Sequence, residues 1–148
     1  MKSKPILLAA FAAFATMLSA ETPTPPPPAA NLPSAVFDWE KLPVIPNEKG
    51  VRRDVFDGPT ATLDKAHCHI TTLKPGENSG EPRKHLQEEF IVIKEGSIEA
   101  THDGKSETIG PGSVIFFAAN AVTRLRNAGT TPATYIVFYF YTPRTPKP

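Results

Sequence analysis

Four residues near the middle of the sequence alternate with a spacing of two and carry side chains that can hold a ligand: Arg83, His85, Gln87 and Glu89. Because successive residues of a β-strand point to opposite faces of a sheet, a regular strand here presents all four on one face. An imidazole beside a carboxylate can bind a metal ion or move a proton, whereas a guanidinium stays charged and binds anions. The segment therefore predicts a polar site.

A second pair of imidazoles precedes this segment. His67 and His69 form a His-x-His pair within an apolar stretch, Ala61 to Leu73, whose composition is typical of a strand. The same alternation places both imidazoles on one face. The pair alone is too weak a signal for a zinc site, because such sites need further cysteine or histidine ligands at defined spacings.

Turn residues around these side chains form an ordered pattern. The order along the chain is Pro75-Gly76, His85, Glu89, Gly96, Asp103-Gly104, Pro111-Gly112 and Asn127. It resembles the two motifs of the cupin family, roughly G(x)5HxH(x)3-4E(x)6G and G(x)5PxG(x)2H(x)3N. The resemblance covers about residues 55–141. It implies an all-β fold, a double-stranded β-helix or jelly-roll barrel of about six to eight strands in a single domain, and usually a homodimer.

The resemblance also implies a ligand set, of which this chain keeps half. In cupins that hold a metal, two histidines and a glutamate of the first motif and a histidine of the second surround a divalent ion. His85 matches the second histidine and Glu89 the glutamate, but Arg83 and Thr123 occupy the other two positions. Imidazole and carboxylate ligands suit iron, manganese, nickel or zinc. Arginine cannot ligate, and open metal sites generally have three protein ligands.

One interpretation is a rebuilt metal site. His85 and Glu89 would then be metal ligands, joined by one or two of His69, His67 and Gln87. The corresponding function is that of a metal-dependent cupin enzyme, of the oxygenase or the isomerase and lyase type.

A second, preferred interpretation is a pocket without a complete metal site. Arg83 then supplies positive charge, either by pairing with Glu89 or by holding an anionic ligand in bidentate fashion. Gln87, Thr123 and His69 complete this ligand-binding set. The corresponding function is that of an exported barrel that binds a small polar or anionic molecule, and the residues do not decide whether it is an enzyme. In a third interpretation, the barrel is purely structural.

The beginning of the chain has the features of a secretory signal peptide, residues 1–20. Lys2 and Lys4 precede an apolar run, Ile6 to Leu18, and small residues follow up to Ala20. The run is shorter than the ~20 residues that a membrane-spanning helix needs. We therefore expect cleavage after Ala20, a secreted or periplasmic location, and no membrane association of the mature protein.

The remaining composition divides the mature chain. Residues 21–34 are a proline-rich linker, residues 35–141 are the predicted barrel domain, and residues 142–148 are a flexible tail. The net charge is +1, and no stripe of Lys and Arg interleaves with aromatic residues, which excludes a typical nucleic-acid-binding face. The single cysteine, Cys68, has no partner for an internal disulfide.

Short apolar segments bounded by Gly, Pro, Asn or Asp predict eight strands and little helix. They are Arg53–Phe56, Ala61–Leu73, Glu89–Glu95, Ser97–His102, Lys105–Ile109, Ser113–Phe117, Val122–Asn127 and Thr134–Tyr141. The last strand is apolar on both faces, so it needs cover on both sides. Either a partner subunit or the N-terminal segment around Phe37 and Trp39 can supply the outer cover.

Overall fold

A computed structural model describes residues 29–146 of the chain. The predicted signal peptide and most of the predicted linker lie outside the described residues. Those described form a short 3-10 helix, Trp39–Lys41, and ten strands: β1 Ile45–Asn47, β2 Gly50–Gly58, β3 Lys65–Leu73, β4 Arg83–Lys84, β5 Glu88–Glu95, β6 Ile98–His102, β7 Lys105–Ile109, β8 Val114–Phe117, β9 Val122–Asn127 and β10 Ala133–Tyr141. In this part of the chain, no helix has the length and apolar character to cross a membrane.

The strands form two antiparallel sheets that face each other. The larger sheet has the order β1-β2-β3-β10-β5-β8, and the smaller sheet has the order β4-β9-β6-β7. Alternate residues of both sheets point inward and form one core, made of Leu73, Ile91, Ile93, Ile98, Ala100, Ile115, Phe117, Leu125, Ala133, Tyr135 and Val137. The expected all-β jelly-roll barrel is confirmed.

Two strands were not predicted, and one candidate strand was too long. β1 and β4 have only three and two residues, all exposed, so neither carries an alternating apolar pattern. The stretch predicted to begin at Ala61 starts as a turn. The Thr60 hydroxyl accepts hydrogen bonds from the backbone N–H groups of Thr62 and Leu63, at 3.3 and 3.0 Å, so β3 begins only at Lys65.

The N-terminal segment covers part of the outer face of the larger sheet. The ring of Phe37 lies 5.8 Å from that of Phe56. Trp39 lies between two cations, with the guanidinium of Arg53 at 4.7 Å and the ammonium of Lys94 at 4.2 Å from the ring centroid. Since Arg53 belongs to β2 and Lys94 to β5, the segment passes over β3 and β10. The N-terminal segment, one of the two elements considered for covering the outer face of β10, therefore packs there.

The N-terminal segment contacts the barrel from within the predicted linker onwards. It leaves one end of the larger sheet exposed. The backbone N–H of Leu32 donates to the carbonyl of Pro59 at 2.8 Å, so contacts with the barrel begin before residue 35. At the other end, Phe90, Val114 and Phe116 are 42%, 64% and 56% exposed. Homodimerisation through this face stays a prediction.

Candidate functional site

A cavity of about 820 Å³ lies between the two sheets. Its wall contains six of the seven residues considered for the site from the sequence, all except His67: His69, Arg83, His85, Gln87, Glu89 and Thr123. They come from β3, β4, β5, β9 and the β4–β5 connection. The structure therefore brings the six together, while their roles in binding stay predictions.

The segment that carries four of them is not the single regular strand expected from its alternation. Arg83 lies in β4 of the smaller sheet, where its register partner is Thr123. Glu89 lies in β5 of the larger sheet. Between them the chain crosses from one sheet to the other, held by a 2.7 Å hydrogen bond from the N–H of Asn120 to the carbonyl of His85. The four residues therefore do not share one strand, yet all four side chains line the cavity.

Hydrogen bonds define the state of His85. The Nε–H of Arg83 donates to Nε2 of His85 at 3.1 Å. Because arginine can only donate, this nitrogen of His85 carries no proton. Burial and the Arg83 charge both lower the pKa of His85. The ring is therefore neutral, and its proton lies on Nδ1, which is 3.5 Å from the side-chain amide of Gln87 and 3.6 Å from Oε1 of Glu89.

Glu89 is 8% exposed, and Gln87 and Thr123 are buried as well. Burial raises the pKa of Glu89, and the positive charge of Arg83 offsets only part of this effect. Among the described residues, Arg83 and Glu89 form no ion pair within 4.0 Å. The expected direct pairing is therefore not observed, because His85 lies between them with one ring nitrogen toward each.

The two upstream histidines have different positions. His69 lines the cavity, whereas His67 lies behind it, with its Nε2 hydrogen-bonded to Nδ1 of His69 at 2.9 Å. Burial lowers the pKa of His69 to about 3; the positive charge of Arg52 adds to the effect, and the negative charge of Asp54 opposes it. His69 is therefore neutral near pH 7, and His67 is not among the residues that line the cavity.

These side chains do not fit the divalent ion that the family resemblance implies. Within residues 29–146, no three His, Cys, Asp or Glu side chains are placed to hold a metal ion. Nε2 of His85 accepts from Arg83, and the guanidinium places a positive charge where an ion would be bound. Thr123 offers only a hydroxyl. A rebuilt metal site therefore gains no support from the geometry.

Sequence reasoning missed most of the positive charge at the cavity. Its wall includes five cationic side chains, Lys49, Arg52, Arg83, Lys84 and Arg124, against three acidic ones, Glu48, Glu81 and Glu89. Lys49 and Arg52 come from the β1–β2 hairpin, which is too short and polar to be recognised by its apolar pattern. The predicted strand Arg53–Phe56 began one residue after Arg52, and the preceding residues carry no alternating apolar pattern that would have extended it.

Comparisons with known proteins agree with this architecture. The family described as "Cupin domain" matches residues 69–139, from the middle of β3 almost to the end of β10. The chain belongs to the cupin superfamily. No curated protein matches the sequence significantly.

Several solved structures superpose on this one at low sequence identity. An RmlC-like cupin from Shewanella frigidimarina is 13% identical, with a TM-score of 0.61 over 76% of this chain and 95% of that chain. A sugar phosphate isomerase of the cupin superfamily from Silicibacter pomeroyi is 21% identical, with a TM-score of 0.59 over 74% and 77%. KdgF from Halomonas is 15% identical, with a TM-score of 0.61 over 72% and 94%. At these identities the likeness establishes the fold alone.

The misfit of a metal ion in this cupin predicts a gain of function. Arg83 and Thr123 are direct register partners on β4 and β9, so their Cβ atoms are about 5 Å apart. We expect the double variant Arg83→His/Thr123→His to bind one Ni²⁺ or Mn²⁺ per chain, measured by calorimetry on protein without a histidine tag. The single variants are the controls and should bind more weakly. A double variant that takes up neither ion would show that the four side chains do not converge.

Proposed function

We propose that this cupin is an exported protein that binds a small polar or anionic molecule inside its barrel, without a complete metal site. The observation that carries the proposal is the guanidinium of Arg83. His85 fixes its Nε–H at 3.1 Å, and within residues 29–146 neither terminal nitrogen has a protein acceptor. A positioned guanidinium with free N–H groups matches the two oxygens of a carboxylate or phosphate.

The rest of the wall supports an anionic ligand. The cationic side chains outnumber the acidic ones by five to three. The buried amide of Gln87 and hydroxyl of Thr123 offer neutral hydrogen bonds. A volume of about 820 Å³ is within the range of pockets that take small molecules.

Export is supported by the composition of residues 1–20, which lie outside the described residues. N-terminal sequencing of the protein recovered outside the cytoplasm is expected to begin at Glu21. A protein that retains Met1 in that fraction would contradict cleavage.

Removal of the Arg83 guanidinium tests the binding proposal. We expect Arg83→Leu to weaken the binding of small carboxylates or phosphate by about 1.5–3 kcal/mol, the contribution of a hydrogen bond to a charged group. The affinity of Arg83→Lys should lie between those of the unmodified protein and Arg83→Leu, because lysine keeps the charge and loses the bidentate hydrogen-bonding geometry. Calorimetric titration of the tag-free protein measures each affinity.

Arg144→Leu is the matched control, because it removes the same charge from the exposed C-terminal tail, away from the cavity. Equal affinities of the Arg83→Leu and Arg144→Leu proteins would remove the support for an anion site at Arg83. Stoichiometric iron or manganese in the purified protein, lost in His85→Ala, would instead favour the metal-dependent enzyme.

A further inference from the structure

A row of hydrogen-bonded side chains lies on the inner face of β2 and β3, and two of its members, Arg52 and His69, also line the cavity. Nδ1 of His67 is 2.9 Å from Oδ1 of Asp57, and Nε2 of His67 is 2.9 Å from Nδ1 of His69. A terminal nitrogen of Arg52 lies 3.3 Å from the same Nε2. The His67 ring stacks on Tyr139, with centroids 4.2 Å apart and planes 9° from parallel, which fixes its orientation.

The partners of His67 determine where its proton lies. Burial alone disfavours the ionised form of Asp57, but hydrogen bonds from Lys65 and His67 outweigh this effect and lower its pKa. Its carboxylate can therefore only accept, so Nδ1 of His67 carries the proton. Arg52 can only donate, so Nε2 of His67 carries none. The proton shared by the two imidazoles then belongs to Nδ1 of His69.

A neutral imidazole has one N–H, so the other nitrogen of His69, Nε2, carries a lone pair. Among the described residues, no donor occupies it, and His69 lines the cavity. His85 differs, because its unprotonated nitrogen already accepts from Arg83. The cavity thus combines a cation at Arg83, an exposed side chain hydrogen-bonded to His85, with a neutral acceptor at His69.

We propose that His69 Nε2 selects, among small anions, those that carry a hydroxyl group, so that the ligand class of this cupin is a small hydroxy acid. This inference rests on the proposed anion site. The anionic group binds Arg83, and the hydroxyl donates its proton to the lone pair of His69. An ammonium group would also donate, but the positive charge of Arg83 opposes it, while that of Arg52 is paired with Asp54 at 2.6 Å. Hydroxy acids are therefore favoured over amino acids.

Matched ligand pairs test the selection. Lactate is compared with propionate, and malate with succinate, by calorimetric titration of the whole mature protein. We expect each hydroxy acid to bind roughly 5- to 30-fold more tightly than its deoxy partner, the equivalent of one hydrogen bond to a positioned acceptor. Alanine, which replaces the hydroxyl of lactate with an ammonium group, should bind more weakly than lactate.

Two substitutions assign the effect to His69. His69→Leu should bring the affinity ratio of each pair to about one, while propionate and succinate still depend on Arg83. His69→Gln keeps an acceptor oxygen and should retain part of the ratio. If His69→Leu does not fold, nitrogen-detected imidazole spectra of the unmodified protein provide a second measurement. These are expected to assign a proton to Nδ1 of His69 and none to Nε2.

The outcomes separate the two proposals. Equal affinities within both pairs, with binding still lost in Arg83→Leu, would overturn the hydroxyl selection and leave the anion site. A proton on Nε2 of His69 would overturn it as well. If neither member of either pair binds, the anion site fails and the selection fails with it.

Discussion

Gly96→Ala is expected to reduce the free energy of unfolding by about 3–4 kcal/mol. Gly96 has a φ of +78°, where a side chain introduces about 1–2 kcal/mol of strain. A Cβ atom there would lie 2.6 Å from both Cα and Cβ of Ala133 and 2.8 Å from the carbonyl oxygen of Pro132. Ala133 is completely buried between β3 and β5, so it cannot move aside without displacing β10.

Gly104→Ala is the matched control. Gly104 has the same φ of +78°, but among the described residues nothing lies within 4 Å of a Cβ atom built on it. It should lose only the backbone strain, about 1–2 kcal/mol. Urea denaturation of both variants isolates the steric contribution as the difference between them. Equal losses would mean that β10 yields to the methyl group. Failure of the Gly96→Ala protein alone to fold is the same result in a more extreme form.

These two glycines illustrate which parts of the fold can be predicted from sequence. Asp103-Gly104 predicted a tight hairpin, and the structure has positive φ at both residues, between β6 and β7. The bounds of β7 agree with the prediction, because the signals that end a strand are local turn residues. Gly104 is explained by its own backbone. Glycine is required at position 96 because Ala133 packs against it, and this long-range contact cannot be predicted from the local sequence.

Sheet pairing explains why the geometry of the site was only partly predicted. Alternation placed Arg83 and Glu89 on one face of one strand, which requires that both residues pair with the same neighbours. In the barrel, Arg83 pairs with β9 and Glu89 with β8 and β10, in different sheets. Pairing partners are distant in sequence, so a pattern of period two cannot reveal the crossing. The curvature of a closed barrel nevertheless turns both sheets' inner faces toward one cavity.

The hydrogen-bonding roles of the histidines depend on the same long-range pairing. The sequence placed His67 and His69 on one face, and the structure agrees. Their division into a buried ring and a cavity-lining ring depends on Asp57 and Arg52, which β2 brings alongside β3. Because a β-bulge shifts the register between Asp54 and Phe56, the alternation that fixes one end of β2 does not fix the other. The partner of His67 therefore cannot be read from spacing.

Asn127, the last residue of the second motif, is expected to be the other position of large effect, through stability and not through ligand recognition. It is completely buried. Its side-chain nitrogen donates to the carbonyls of Leu73 at 3.0 Å and Thr131 at 2.8 Å, and its oxygen accepts from the N–H of Gly129 at 2.9 Å. One amide thus joins the end of β3 to the turn between β9 and β10.

Asn127→Ala removes three hydrogen bonds, one of them buried and two partly buried, and we expect the free energy of unfolding to fall by about 3–5 kcal/mol. Asn127→Asp should be at least as damaging at neutral pH, because a carboxylate would then face two carbonyl oxygens. Asn78→Ala is the control. Its oxygen also accepts two hydrogen bonds, from Gly80 and Lys49, but it is only partly buried, and we expect a loss of about 1 kcal/mol or less. Urea denaturation compares all three.

Measuring ligand affinity separates the residues that stabilise the barrel from those that bind the ligand. Asn127 does not line the cavity, so the folded fraction of Asn127→Ala should bind a carboxylate as the unmodified protein does, whereas Arg83→Leu should fold normally and bind weakly. Substitution of Asn127 would then affect stability, and substitution of Arg83 would affect ligand binding. If Asn127→Ala lost affinity while keeping its stability, the amide network would belong to the binding site, and the division between the two roles would be wrong.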